Sequence, residues 1–135
     1  MRVCDKLCKV FSMLGSQKLM AFVATRDPVR AKEFYGATLG LRFVSDDGFA
    51  LVFEANGTMV RIATVHELNP PPYTVLGWEV GDIESAVKAL TAAGVAFERY
   101  GMFSQDELGI WSAPGGTCVA WFKDPDGNTL SVSQH

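Results

Sequence analysis

A chain of 135 residues, 48% hydrophobic and 20% charged, has the length and apolar content of one compact domain with an ordinary core. Twelve Lys and Arg against fifteen Asp and Glu leave a net charge of −3. The cations are scattered, so no basic stripe offers itself to phosphates, and no apolar run reaches the roughly 20 residues that cross a bilayer; nucleic acid and membrane are not expected partners.

Residues 1–17, "MRVCDKLCKVFSMLGSQ", read as an N-terminal extension. Asp5, Lys6 and Lys9 interrupt its short apolar pieces, which makes a poor secretory signal and leads to the expectation of a cytoplasmic protein. Cys4 and Cys8 would share a face if this segment were helical, half of a metal or redox site that no second Cys or His pair completes. With Cys118 the cysteine count is three, an odd number that gives no disulfide framework; Cys118 lies in an apolar stretch and reads as a core thiol.

"LMAFVAT" (19–25) predicts a strand, and "RDPVRAKEFYGATLG" (26–40) a helix with Asp27 as N-cap and Pro28 in its first position. Ala31, Phe34, Tyr35 and Thr38 form the i, i+3, i+4, i+7 stripe of a helix lying on a sheet. Gly40 ends it, and "LRFVS" (41–45), "FALVFE" (49–54) and "TMVRIATV" (58–65) predict strands separated by the turns "DDG" and "ANG". The unit is βαβββ.

After "HELNPPPY" (66–73), whose prolines make a stiff connector, the plan repeats. "YTVLGWEV" (73–80) is a strand and "GDIESAVKALTAAG" (81–94) a helix capped by Asp82; "VAFERY" (95–100), "TCVAWFK" (117–123) and "NTLSVS" (128–133) supply three more strands. "MAFVATRD" lies over "VLGWEVGD", "GLRF" over "GVAF", and "GTMVRIA" over "GNTLSVS". The expected organisation is one α+β domain over residues 18–134: module 1 at 18–65, linker at 66–73, module 2 at 74–134. Residues 101–116 form an insertion in the second module, holding "ELGIW" as a short extra strand; a surface loop and a pocket lid carrying Phe103 and Trp111 are both open readings.

The duplicated βαβββ plan, "FYGATLGLRF" after a capped helix, and "GIWSAPGG" leading to "AWFKDPDGNTLSVSQ" resemble the vicinal oxygen chelate superfamily of glyoxalase, bleomycin-resistance and extradiol dioxygenase proteins. The resemblance implies a half-open barrel in which four floor positions hold a divalent ion through His, Gln or Glu. Carried over by register, those positions are Met20, Arg61, Val75 and Ser131. A thioether, a permanent cation, an aliphatic chain and a lone hydroxyl do not grip a hard divalent ion, so neither metal nor other cofactor is expected. A slip of one residue brings in only Leu19, Ala21, Val60, Ile62, Thr74, Leu76, Leu130 or Val132.

For the remaining groups the residues leave alternatives. Arg61, between Val60 and Ile62, points to the cup by alternation and would bind an anion, or it snorkels to the rim. Glu79 is the candidate catalytic base, a partner of Arg61, or a rim carboxylate. Phe22, Phe53, Trp111 and Trp121 would wall a flat organic ligand, and Trp78 would face the helices. His66 and His135 lie on no floor strand. The resulting expectation is a metal-free homodimer that binds or sequesters a small organic molecule. The alternatives are a lyase, isomerase or dioxygenase of the same superfamily, using a metal held elsewhere or Glu79 and Arg61, and a regulatory domain with a filled cup.

Overall fold

The computed structural model describes residues 13–135; the Cys4–Cys8 reading lies outside the described residues. The first module is strand β1 (Met20–Thr25), helix α1 (Pro28–Lys32) running on as a π-helical stretch Glu33–Thr38, then β2 (Arg42–Asp46), β3 (Ala50–Ala55) and β4 (Thr58–Thr64). Asp27 caps α1 through the Arg30 N–H, with Pro28 at the entry. The single long helix read from the sequence widens after Lys32, where the Leu39 N–H reaches back five residues to the Phe34 carbonyl. That wider turn carries the neighbours Phe34 and Tyr35 into the core together, edge to face with centroids 5.3 Å apart.

The second module is β5 (Thr74–Glu79), α2 (Ile83–Ala92) capped by Asp82, β6 (Trp111–Ser112), β7 (Cys118–Lys123) and β8 (Thr129–Gln134). Each module makes one four-stranded mixed sheet, ordered β1-β4-β3-β2 and β5-β8-β7-β6, with the first and last strands of the module parallel and adjacent. The two sheets do not close on each other, and the result is the half-open cup of two βαβββ modules expected from the repeat.

The expected strand at 95–100 is a correction. Only Phe97 bridges to Phe122 and the Glu98 N–H to the Trp121 carbonyl; the chain then leaves the sheet and returns as β6 against Cys118 and Val119. The outermost strand of this sheet is thus two fragments interrupted by residues 99–110. The insertion lies there, at 99–110 rather than the expected 101–116, because the chain rejoins the sheet at Trp111.

Burial follows alternation in β4 and β7, whereas Ala50–Phe53 in β3 and Thr129–Val132 in β8 are buried on both faces. Val23, Leu51, Phe53, Val60 and Ile62 in the first sheet, and Ala120, Phe122, Leu130 and Val132 in the second, are buried toward the helices with Ala31, Tyr35, Ile83 and Val87. The opposite face of both sheets is the open one.

The turn 124–128 joins the modules. Gly127 takes φ 89°, and the Asp126 and Asn128 N–H groups bond Asp124 Oδ1 at 2.9 Å, which folds the turn on itself. It then reaches into module 1. The Tyr35 hydroxyl donates to Asp124 Oδ2 at 2.7 Å, Asn128 Nδ2 donates to the Ala24 carbonyl at 2.9 Å, and Asp126 accepts from the Thr25 hydroxyl and the Arg26 N–H. Burial first, and the Asp124 charge second, push the Tyr35 hydroxyl far above the ordinary tyrosine range. The folded protein therefore holds this proton while the unfolded chain releases it above about pH 10. The stabilisation is complete below that value and falls away above it, by about 1.4 kcal/mol per pH unit for one proton. Alkaline denaturation monitored by circular dichroism is expected to show this slope in the wild type and lose it in Tyr35→Phe.

Candidate functional site

Strand register sets which side chains share the open face. Phe22 pairs with Arg61 and Arg61 with Val52; Met20 with Met59 and Met59 with Glu54. Because Val60 and Ile62 are buried on the helix side, Met20, Phe22, Val52 and Arg61 turn to the cup. In the second sheet Trp121 pairs with Ser131 and Ser131 with Gly77, while Trp111 pairs with Val119, Val119 with Ser133 and Ser133 with Glu79. Two rows of the open face are therefore Trp121–Ser131–Gly77 and Trp111–Val119–Ser133–Glu79. Adjacent strands lie about 4.8 Å apart, so the first row runs about 10 Å from an indole to bare backbone.

The expected site residues fall into this frame with several corrections. Phe53 is fully buried at 0% exposure, packing on Tyr35 and Phe43 on the helix side, so it is no wall of the cup. Its pairing with the buried Val60 fixes that face. Val75 is displaced too: the β5–β8 ladder shifts register between Thr74 and Leu76, Val75 packs on the buried cluster, and Gly77 is the residue opposite Ser131. A side chain at Gly77 would place its Cβ 2.7 Å from Ser131 Oγ, so the hydroxyl of Ser131 lies over the space a side chain would fill. Met20 is on the open face one row from Phe22, and the two are 44% and 63% exposed, unusual for side chains of their size.

Arg61 points to the cup face but is engaged there. Its Nη2 lies 2.7 Å from Asp47 Oδ2 in the turn between β2 and β3, and this guanidinium, with the Phe49 and Ala50 N–H groups, lowers the Asp47 carboxyl to about 2. The pair with Glu79 that the sequence allowed is not made; Arg61 takes Asp47. A depressed carboxyl keeps its charge until the pH falls through its folded value, so mild acid does not release Arg61. Arg42 and Glu54, neighbours across β2 and β3, form a second ion pair at 3.3 Å.

Glu79 is exposed and makes no ion pair among the described residues. Beside it, Ser133 Oγ and His135 Nε2 are 3.0 Å apart, a contact that sequence reasoning missed although residues two apart on a strand project to one face. Glu79 and Gly77 also line a cleft of about 600 Å³ along the seam of the modules, with Leu19, Ala21, Val60 and Trp78.

Trp111 and Trp121 are neighbours on the open face, with ring centroids 6.0 Å apart. Phe103, at the tip of the 99–110 excursion, covers both: it lies 5.3 Å from Trp121 with planes 9° apart and 4.6 Å from Trp111. Tyr100 closes the group edge-on to Trp121 at 5.5 Å. Trp78 is on the other face, stacked on Phe122, as alternation with Gly77 and Glu79 required.

The donor chemistry of the open face does not fit a divalent metal. Its floor presents thioether, phenyl, an ion-paired guanidinium, backbone and hydroxyl, and among the described residues no three His, Cys, Asp or Glu side chains converge on one point.

The family model of the glyoxalase/bleomycin resistance protein/dioxygenase superfamily matches residues 18–132. No curated protein matches the chain. Among solved structures, a member of that superfamily from Sphaerobacter thermophilus superposes with a TM-score of 0.70 at 24% identity, covering 91% of this chain and 100% of its own. The antibiotic binding protein TnmS3 from Streptomyces sp. CB03234 gives 0.69 at 22% identity, covering 91% and 98%. A lactoylglutathione lyase from Agrobacterium tumefaciens gives 0.66 at 16% identity, covering 88% and 93%. Likeness at these identities concerns the fold.

Proposed function

The chain belongs to the glyoxalase/bleomycin resistance protein/dioxygenase superfamily, and from that premise we propose that it binds a small flat organic molecule in the open cup without a metal. One observation carries the reading: two indoles and two further aromatic rings gather on the open face of the second sheet, where a metal-using relative would need carboxylates and imidazoles on the floor. Aromatic plates recognise flat ligands by stacking and by removing apolar surface from water, and they tolerate variation in the ligand's edge. The Ser131 hydroxyl, lying over the bare backbone of Gly77, continues the row and supplies a polar group at its end. The reading is supported by TnmS3, an antibiotic binding protein with the same fold.

A homodimer in the cytoplasm completes the proposal. Leu19, Phe22, Phe49 and Tyr73 are exposed apolar side chains that a second copy would cover. Among the described residues no helix is long and apolar enough to cross a membrane.

The test is a panel of flat aromatic compounds read by thermal shift, each with and without a chelator. The expected result is a rise in Tm that the chelator leaves unchanged, since binding to the native state alone raises apparent stability. Loss of the shift on chelation, with a stoichiometric divalent ion found by elemental analysis, would overturn the metal-free reading.

A second reading rests on Glu79, exposed on the cup face beside Ser133, itself in contact with His135: proton transfer by a metal-free isomerase. Its mark would be turnover that Glu79→Gln abolishes while the fold is kept.

A further inference from the structure

The outermost strand of the second sheet is broken by residues 99–110, and both ends of that excursion are fastened. Arg99 donates to the Asp106 and Glu107 carbonyls. The Gln105 side chain accepts from the Tyr100 N–H at 2.8 Å and donates to the Glu98 and Gly109 carbonyls at 2.9 and 2.8 Å. Asp106 Oδ1 accepts from the Leu108 and Ile110 N–H groups. Between these anchors lie four residues, Gly101 to Ser104, tied by one backbone bond, from the Phe103 N–H to the Tyr100 carbonyl at 3.0 Å. Met102 beside the ring is 80% exposed. What holds the tip down is therefore the Phe103 ring itself.

The arrangement of that ring is the informative point. Phe103 lies 9° from the plane of Trp121 with centroids 5.3 Å apart, the offset-stacked pose that aromatic pairs prefer. A flat ligand on the Trp121 plate would adopt the same pose. The ring and the ligand require one position, and the fastened base allows the tip to leave without disturbing the sheet.

We propose that Phe103 is an internal occupant of the Trp121 stacking surface, which a planar aromatic ligand displaces, so that the 101–104 tip opens on binding. The inference rests on the ligand-binding reading above and adds its ligand class and its regulation. Phe103 competes with the ligand, sets a threshold for its affinity, and turns occupancy into a movement at the protein's surface.

Two planar three-ring probes test it: the cation proflavine and the anion anthracene-9-carboxylate, titrated into the wild type, Phe103→Ala, Phe103→Leu and Trp121→Ala. The aromatic pair is worth a factor of about 2 to 12 in affinity, so Phe103→Ala is expected to bind tighter by that factor. Phe103→Leu, which keeps apolar cover without a flat ring, should fall between it and the wild type. Amide hydrogen exchange in the saturated wild type is expected to quicken at residues 101–104 and stay unchanged at 105–110. Equal or weaker binding by Phe103→Ala, while Trp121→Ala still loses affinity, would make Phe103 a wall of the site and overturn the inference alone. Slower tip exchange on binding would overturn it as well. No binding of either probe to any variant would remove the ligand reading and the inference together.

Discussion

Replacing Asp124 with alanine is expected to cost about 4 kcal/mol of folding stability. The carboxylate is 6% exposed and accepts four hydrogen bonds: from the Tyr35 hydroxyl, from the Asn128 side-chain amide at 2.8 Å, and from the Asp126 and Asn128 backbone N–H groups. Removing an acceptor while leaving buried donors unmatched costs about 1–3 kcal/mol for each stranded group. The Tyr35 hydroxyl and Asn128, both in residues with almost no solvent access, are stranded most severely. A domain of this size has about 5–15 kcal/mol in hand, so the variant sits near the edge of folding. Urea titration of both proteins is the measurement, with the midpoint expected to fall at unchanged slope. A loss below about 1 kcal/mol would mean that the module junction is held by apolar contacts and that the turn is only a hairpin.

That junction shows where a sequence stops being legible. "DPDGN" reads as a tight turn from local rules alone: Asp and Asn bond their own backbone, and Gly127 adopts φ 89°. Nothing local says that the same Asp124 receives a hydroxyl from 89 residues earlier, because that contact is a property of how two sheets meet. The repeat, the caps at Asp27 and Asp82 and the alternation in β4 were legible for the opposite reason, since each depends on neighbours a few positions away. Val75 slipped because a bulge changes the strand's register without leaving a mark in residue type, and Phe53 because a four-residue buried run, Ala50 to Phe53, hides which side faces the helices. Arg61 was placed on its face correctly by alternation. Its partner was not foreseen, as Asp47 sits in a turn two strands away in sheet order.

Truncating Trp121 to alanine is expected to weaken binding of a flat aromatic ligand about 30-fold, equivalent to about 2 kcal/mol, by analogy with the 1–3 kcal/mol lost when a ring that stacks a base is removed. The companion variant is Trp78→Ala. The two indoles lie in the same sheet but on opposite faces: Trp121 is in the open row with Ser131, whereas Trp78 is stacked on the buried Phe122 at 6.4 Å. Trp78→Ala therefore creates a void on the helix side and is expected to cost about 3 kcal/mol of stability, with ligand affinity retained by the folded protein. Trp121→Ala should behave in the reverse way, losing affinity with a smaller loss of stability, since its ring is only partly buried and its neighbours Phe103 and Trp111 can close over the gap. Calorimetric titration for affinity and urea unfolding for stability, on both variants, separate the two effects. Trp78 also lines the seam cleft, so the opposite pattern has a definite meaning. If Trp78→Ala loses affinity and Trp121→Ala keeps it, the ligand lies in the seam between the modules and the aromatic plates are packing for the excursion that covers them.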